Sequence, residues 1–213
     1  MTALVIDAWP EDDDPRWRGA VAAFTKHHAE DPRVIDRDGI TTTVSLDYHA
    51  RVSAWVRRLD ASAPLAARLA ALAQHVRRFE MPRAAYPAGS QGYKRWRSTA
   101  LLRHAEIART ELVALGYDDV IVTPTCDAIL KKKLAHDPIA ALLEDAVCLR
   151  FVQDELTQFA TEQQAAGRDR AAMRTIVAKT WAKMSAAGRS AAPALLAGLP
   201  PDLAALVGEV AGG

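Results

Sequence analysis

The chain has 213 residues and a formal net charge of +1, with half of its residues hydrophobic and a quarter charged. That balance is ordinary for a globular protein and excludes a global field that would draw in nucleic acid or membrane, so such a partner must be met by a local patch. Only Cys126 and Cys148 are present, too few for a disulfide framework or a cysteine-paired metal site.

Taken in order, residues 1–18 read as a variable lead-in broken by Glu11, Asp12, Asp13, Asp14 and Pro15, and 19–213 as one helical domain. Leu4, Val5 and Ile6 run straight into Asp7, without the basic and apolar regions of a signal peptide. No apolar run has the length of a membrane span, and the expected location is the cytoplasm. A helix is expected from near Gly19 to before Asp31, then a polar loop from Pro32 to Thr43 turning at Asp38-Gly39. Ser45 can cap a helix whose apolar face is Tyr48, Val52, Trp55 and Leu59. A further helix carries Leu65, Leu69, Leu72, Val76 and Phe79 and stops at Met81-Pro82. After a loop with Pro87, Gly89 and Gly92, the pattern predicts a helix from Tyr93 to Leu115. Thr123-Pro124 opens a short helix ending near Lys133, where Lys131, Lys132 and Lys133 suit the negative end of the dipole. Asp137-Pro138 opens the longest helix, to Ala165, followed by one over 169–187 and a small one after Pro200-Pro201. The expected fold class is all-α: a compact single-domain array of about seven helices with no strand.

Function is sought where polar groups interrupt apolar faces. Asp145 stands in the seam Leu142, Asp145, Leu149, Val152, Leu156, Phe159. A carboxylate there must meet a metal, an arginine or a hydrogen-bond cluster, and Glu144 flanks it. His75 and His104 sit at inward positions of two successive helices, and His49 lies beside the Tyr48 face. Imidazole nitrogen with carboxylate oxygen suits zinc, iron or manganese. His27, His28 and His136 read as surface residues.

From His75 to Arg109 eight cations (Arg77, Arg78, Arg83, Lys94, Arg95, Arg97, Arg103, Arg109) face only Glu80 and Glu106, with Tyr86, Tyr93 and Trp96 interleaved. Arginine forks bind phosphate and carboxylate. Arg78, Arg83 and Arg97, with Tyr93, are the expected anion-binding set. Tyr93, Lys94, Arg95, Trp96 and Arg97 also mix aromatics with cations as nucleic-acid stacking surfaces do, a reading ranked below a small anionic ligand.

The runs Gln74 to Arg83, Tyr86-Pro87, Gly92-Tyr93, Trp96-Arg97, His104-Ala105, Leu143 to Ala146 with Cys148-Leu149, and Lys179 to Trp181 with Lys183-Met184-Ser185 resemble domain-of-unknown-function family 4202 over roughly Asp31 to Ser185. The order His49, His75, His104, Asp145 is more distantly similar to HD-domain proteins, a resemblance that implies an HD-like helical fold around a metal. Val76 stands where such proteins have the paired aspartate, which implies one ion at most.

The expected function is a metal-dependent enzyme on a small phosphate- or carboxylate-bearing substrate, plainly an HD-like hydrolase. His75, His104, Asp145 and His49 would hold the divalent ion (Fe, Mn or Zn), Glu144 and Asp145 would be catalytic, and the arginines would hold the anion. The alternatives are an HD-like iron oxygenase, or a non-enzymatic module with an ion-pair core that binds a ligand, a protein or RNA.

Overall fold

The computed structural model describes residue 9 and residues 13–37 and 39–212. Most of the lead-in, and Asp38 of the expected turn, therefore lie outside the described residues. The chain divides into two compact units, Met1–Ala140 and Ala141–Gly213.

The first unit opens with α1 (Pro15–Ala29), whose N-cap is Asp14: its carboxylate accepts from the Arg16 N–H at 2.8 Å. Asp14-Pro15, at the end of the run expected to break structure, is thus the start of a helix, with proline at the first position, where its missing N–H costs nothing. A hairpin follows, which corrects the expected loop. Strands β1 (Val34–Arg37) and β2 (Ile40–Thr43) pair antiparallel in register Val34↔Thr43 to Arg37↔Ile40. Gly39 has φ +77°, the left-handed conformation that tight hairpin turns ask of a glycine. Three consecutive threonines, Thr41 to Thr43, were the β-branched signal for the return strand.

Helix α2 (Val44–Leu59) is capped by Thr43, whose hydroxyl accepts from Leu46 N–H at 3.1 Å and donates to the His28 carbonyl at 2.7 Å. Ser45, the expected cap, instead donates to Asp31 at 2.6 Å. Burial pushes the Asp31 carboxyl up, but hydrogen bonds from Arg33 and Ser45 outweigh it and hold the group below its ordinary value. The link ties the hairpin base to α2.

Helix α3 (Leu65–Ala73) is the centre of the unit; it ends before the expected stop at Met81-Pro82, and Arg77 beyond it has a left-handed φ of 54°. Every residue from Ala66 to Ala73 is buried, and α1, α2, α4 and α5 all pack on it. A helix that is apolar apart from one residue belongs inside; the exception, Arg68, lies over the Trp9 and Trp17 rings, and the alanines let neighbours approach closely. Helix α4 (Gly89–Ala114) begins a turn earlier than expected. Two bonds pin the loop before it: Trp96 Nε1–H donates to the Met81 carbonyl at 2.8 Å, and Arg83 Nη1–H to that of Tyr86 at 2.9 Å. Helix α5 (Asp119–Ile129) is capped by Asp118, so Pro124 lies inside the helix rather than at its start. The carbonyl that proline deprives of a partner belongs to Val120, which is 78% exposed, and solvent can satisfy it. Asp137 caps α6 (Pro138–Asp154) as expected, accepting from Ile139 N–H at 2.8 Å.

The second unit holds the rest of α6, then α7 (Leu156–Ala165), α8 (Arg170–Lys183), α9 (Ala186–Ala191) and α10 (Pro201–Gly212). The single long helix expected here is interrupted at Glu155, where φ is −119°. The Arg150 guanidinium donates to Glu155 and pairs with Asp154, both partners of that second pair being buried. The core is Val152, Leu156, Met173, Val177, Leu199, Leu203, Leu206 and Val207. Among the described residues there are ten α-helices and two strands rather than about seven helices and none. The fold is mostly helical, and no described helix is long and apolar enough to cross a membrane.

The close packing of α3 makes it intolerant of added volume. Ala70→Leu should destabilise the protein by about 1–3 kcal/mol through overpacking, and Leu69→Ala by about 2–5 kcal/mol through a cavity. Denaturant unfolding of both variants checks this.

Candidate functional site

The first unit gathers four imidazoles around the C-terminal end of α3. His28, in the last turn of α1, is fully buried, and its Nε2–H donates to the Leu72 carbonyl at 2.8 Å. His49, on α2, donates Nδ1–H to the Ser45 carbonyl at 2.7 Å and stacks on His28, ring centroids 3.6 Å apart at 13°. Tyr48 stands edge-on to His49 and stacks on His75, each at 5.0 Å, while its hydroxyl accepts from the Gln74 amide at 2.7 Å. His104, on α4, is fully buried, donates Nδ1–H to the Val76 carbonyl at 2.8 Å, and lies 5.6 Å from the His75 ring.

A carbonyl can only accept, so each nitrogen facing one carries the proton. The opposite nitrogens, His28 Nδ1 and His104 Nε2, are then unprotonated acceptors, and both are buried with no hydrogen-bond partner. His75 has the same tautomer logic from the other side. Its Nε2 accepts from Arg78 Nη1–H at 2.8 Å, and an arginine can only donate.

Burial pushes the pKa of His28 down to about 4, despite the Leu72 carbonyl that favours the charged ring. His104 is likewise pushed down to about 4, by burial first and then by the charges of Arg78 and His28. His75 is held well below its ordinary value by burial, then by Arg78, His104, His49 and Lys131. These three rings are neutral at pH 7.

The structure therefore brings His75 and His104 together and joins His49 to them through Tyr48. It adds His28, a correction to the expectation that His28 lies on the surface with His27. The signal was present, since Trp17, Ala20, Phe24 and His28 form the buried stripe of α1 at helical spacing. Arg78 is at the rim, its guanidinium 4.6 Å above the Trp96 ring. Arg83 braces its own loop through the carbonyls of Tyr86 and Gly89. Arg97 and Tyr93 are exposed on α4.

Glu144 and Asp145 belong to the second unit, and both are buried. The two carboxylate oxygens of Asp145 accept from Ser185, Oδ1 from its backbone N–H at 2.7 Å and Oδ2 from its hydroxyl. The same hydroxyl oxygen accepts from the Ala187 and Gly188 N–H groups at 3.1 and 3.4 Å, capping α9. A Cβ on Gly188 would stand 2.5 Å from Asp145 Oδ1, so only glycine lets the carboxylate come this close. An aspartate in an apolar seam is here answered by a serine.

Among the described residues, no three histidine, cysteine, aspartate or glutamate side chains are grouped closely enough to hold a metal ion. The imidazoles offer donors one or two at a time.

A family model described as Domain of unknown function (DUF4202) matches residues 18–207, and the chain belongs to that family. Neither a curated protein nor a solved structure matches it.

Two predictions follow from this geometry. His28 and His104 are neutral when folded, with pKa about 4, and take up protons near 6.5 when unfolded. The unfolded chain thus binds more protons between those values. Stability should be full above pH 6.5, fall as the pH drops through that window, and level off below about 4, by roughly 3 kcal/mol per histidine. His104→Asn and His28→Gln keep a donor for the carbonyl but do not titrate, and each should flatten the pH dependence of denaturant unfolding. In the second unit, Asp145→Ala should cost about 1–3 kcal/mol by leaving the Ser185 donors unanswered. Gly188→Ala should also destabilise, and the pair should cost less than the sum, since shortening residue 145 removes the atoms the new methyl meets. A double-mutant cycle reads that coupling.

Proposed function

We propose that the imidazole cluster of the first unit is a metal-assisted site for a small anionic compound, with hydrolysis of a phosphate- or carboxylate-bearing substrate as its reaction. The observation that carries this reading is the pair of buried acceptors, His28 Nδ1 and His104 Nε2, without hydrogen-bond partners. A buried polar atom left unsatisfied costs about 1–3 kcal/mol, and native interiors answer such atoms with an ion or an ordered water. One nitrogen tied to a carbonyl and the other presented unprotonated is also the usual preparation of an imidazole for zinc, iron or manganese.

His75 and His104, at 5.6 Å between rings, are the pair that would share an ion, with His49 alongside. So few protein ligands would leave coordination positions for water and substrate, the mark of catalytic rather than structural sites. When bound, such an ion lowers the pKa of water and polarises a phosphoryl or carbonyl oxygen. Arg78 supplies the anion contact. Its fork fits phosphate and carboxylate, and Trp96 supports its plane. An anion taken by Arg78 competes with His75 Nε2 for the guanidinium, so substrate binding would uncover that imidazole lone pair. The order His49, His75, His104 along successive segments is that of HD-domain proteins, which makes an iron oxygenase on the same frame the alternative chemistry.

A second reading is favoured by the bonds that His28 and His104 make to Leu72 and Val76. In it the imidazoles are donors that finish a buried helix end, in a protein that binds without catalysis. Metal analysis separates the two. Protein purified without chelator should carry bound zinc, iron or manganese, or take it up in calorimetry at micromolar concentration. His104→Asn should weaken uptake at least tenfold while remaining folded. No uptake of any of the three ions, together with an unchanged melting temperature in chelator, would sink the metal reading and leave the second.

A further inference from the structure

Residues 81–105 contain five cations, Arg83, Lys94, Arg95, Arg97 and Arg103, and no acid, in a chain whose formal net charge is only +1. The structure concentrates this excess on one surface. Between residues 90 and 100, α4 buries only Gly92, Trp96 and Ala100, and the rest of its circumference is exposed. Arg83 is spent on loop carbonyls, and Arg103 is paired with Glu106 at 3.0 Å. Lys94, Arg95 and Arg97 are exposed, and among the described residues their side chains take part in no ion pair or hydrogen bond. Tyr93 stands among them, 49% exposed, its ring 5.7 Å from the buried Trp96. Trp96 in turn is fixed by its bond to the Met81 carbonyl and by Arg78, whose guanidinium lies over its ring. The exposed ring therefore rests on a braced support.

We infer that this outer face of α4 docks single-stranded nucleic acid, with Lys94, Arg95 and Arg97 on the phosphates and Tyr93 under a base. Three unpaired cations within four residues match a phosphate backbone by charge. An exposed aromatic among them is what a strand with open bases uses and a duplex cannot. A membrane is the poorer match. Tyr93 is the sole large hydrophobic residue exposed over 89–101, and Leu102 beyond it stands alone, so the surface carries no wedge for lipid. Helix α4 also presents its positive dipole end on this side, without a side-chain cap. The inference rests on α4 alone and is independent of the imidazole reading.

The test is fluorescence anisotropy of the full chain with labelled 12-nucleotide oligouridylate and oligothymidylate, from about 25 to 150 mM salt, which also separates RNA from DNA. Three phosphate contacts give a log-log salt slope of about −2 for a single strand. The combined change Lys94→Ala, Arg95→Ala, Arg97→Ala should weaken binding at least tenfold and bring the slope towards zero. Tyr93→Ala should weaken it about tenfold and leave the slope unchanged. All four positions are exposed, so circular dichroism should show native helix content in both variants. Three outcomes overturn the proposal. The first is no binding at the lowest salt. The second is equal binding by the triple variant. The third is retention on phosphatidylserine vesicles or polyglutamate that matches the oligonucleotides and is indifferent to Tyr93→Ala.

Discussion

A helix buried on every side must still find donors for the carbonyls at its end. That constraint organises the first unit. Helix α3 lies inside α1, α2, α4 and α5, and the Leu72 carbonyl at its close and the Val76 carbonyl just beyond are out of reach of water. His28 from α1 and His104 from α4 supply the missing N–H groups. An imidazole does this differently from a serine or an arginine. In giving one nitrogen to the backbone it keeps a second, of opposite character, and burial keeps the ring neutral. Structural need and chemical capacity then sit on one side chain. The histidine cluster is thus a consequence of how α3 is packed and, at the same time, the most chemically distinctive place in the unit.

The second unit solves a related problem with an acid. Asp145 takes a place in the apolar seam of α6 because Ser185 arrives with two donors, and the serine hydroxyl passes the polarity on to the start of α9. The run Lys183-Met184-Ser185 owes its serine to that relay, while buried Met184 lines the unit's apolar interior.

Much of this was legible in the sequence, and the misses have physical causes. Apolar periodicity located α2, α3, α4 and α6, and inward spacing singled out His75, His104 and Asp145, with His49 beside an apolar face. The hairpin was missed because four-residue strands are too short to show alternation, even with the Asp-Gly turn in view. Pro124 was read as a start because proline rules are local, whereas an exposed Val120 carbonyl that can spare its partner is a tertiary fact. The break at Glu155 is accompanied by bonds from Arg150 to Glu155 and Asp154, and the burial of that charge is announced by no pattern. His28 was assigned to the surface by its place near a helix end, although the end of α1 is covered. What Asp145 meets was beyond the sequence, because its partner lies forty positions away.

The composition of α3 carries a last consequence. Five of its nine residues are alanine, and alanine surrenders no side-chain rotamer entropy on burial. The helix thus enters the interior at little entropic cost, and it contributes little apolar area per residue in return. Its stabilising value is geometric: small side chains let the surrounding backbones come close, since the distance between packed helices depends on the side chains at the contact. At that spacing an imidazole on a surrounding helix spans the gap to a main-chain oxygen directly. A bulkier central helix would push the shell outwards and leave the same histidines reaching for water. Alanine content at this one place therefore acts as a ruler for polar reach, and drift in its side-chain size would be felt first as lost hydrogen bonds rather than as lost hydrophobic contact.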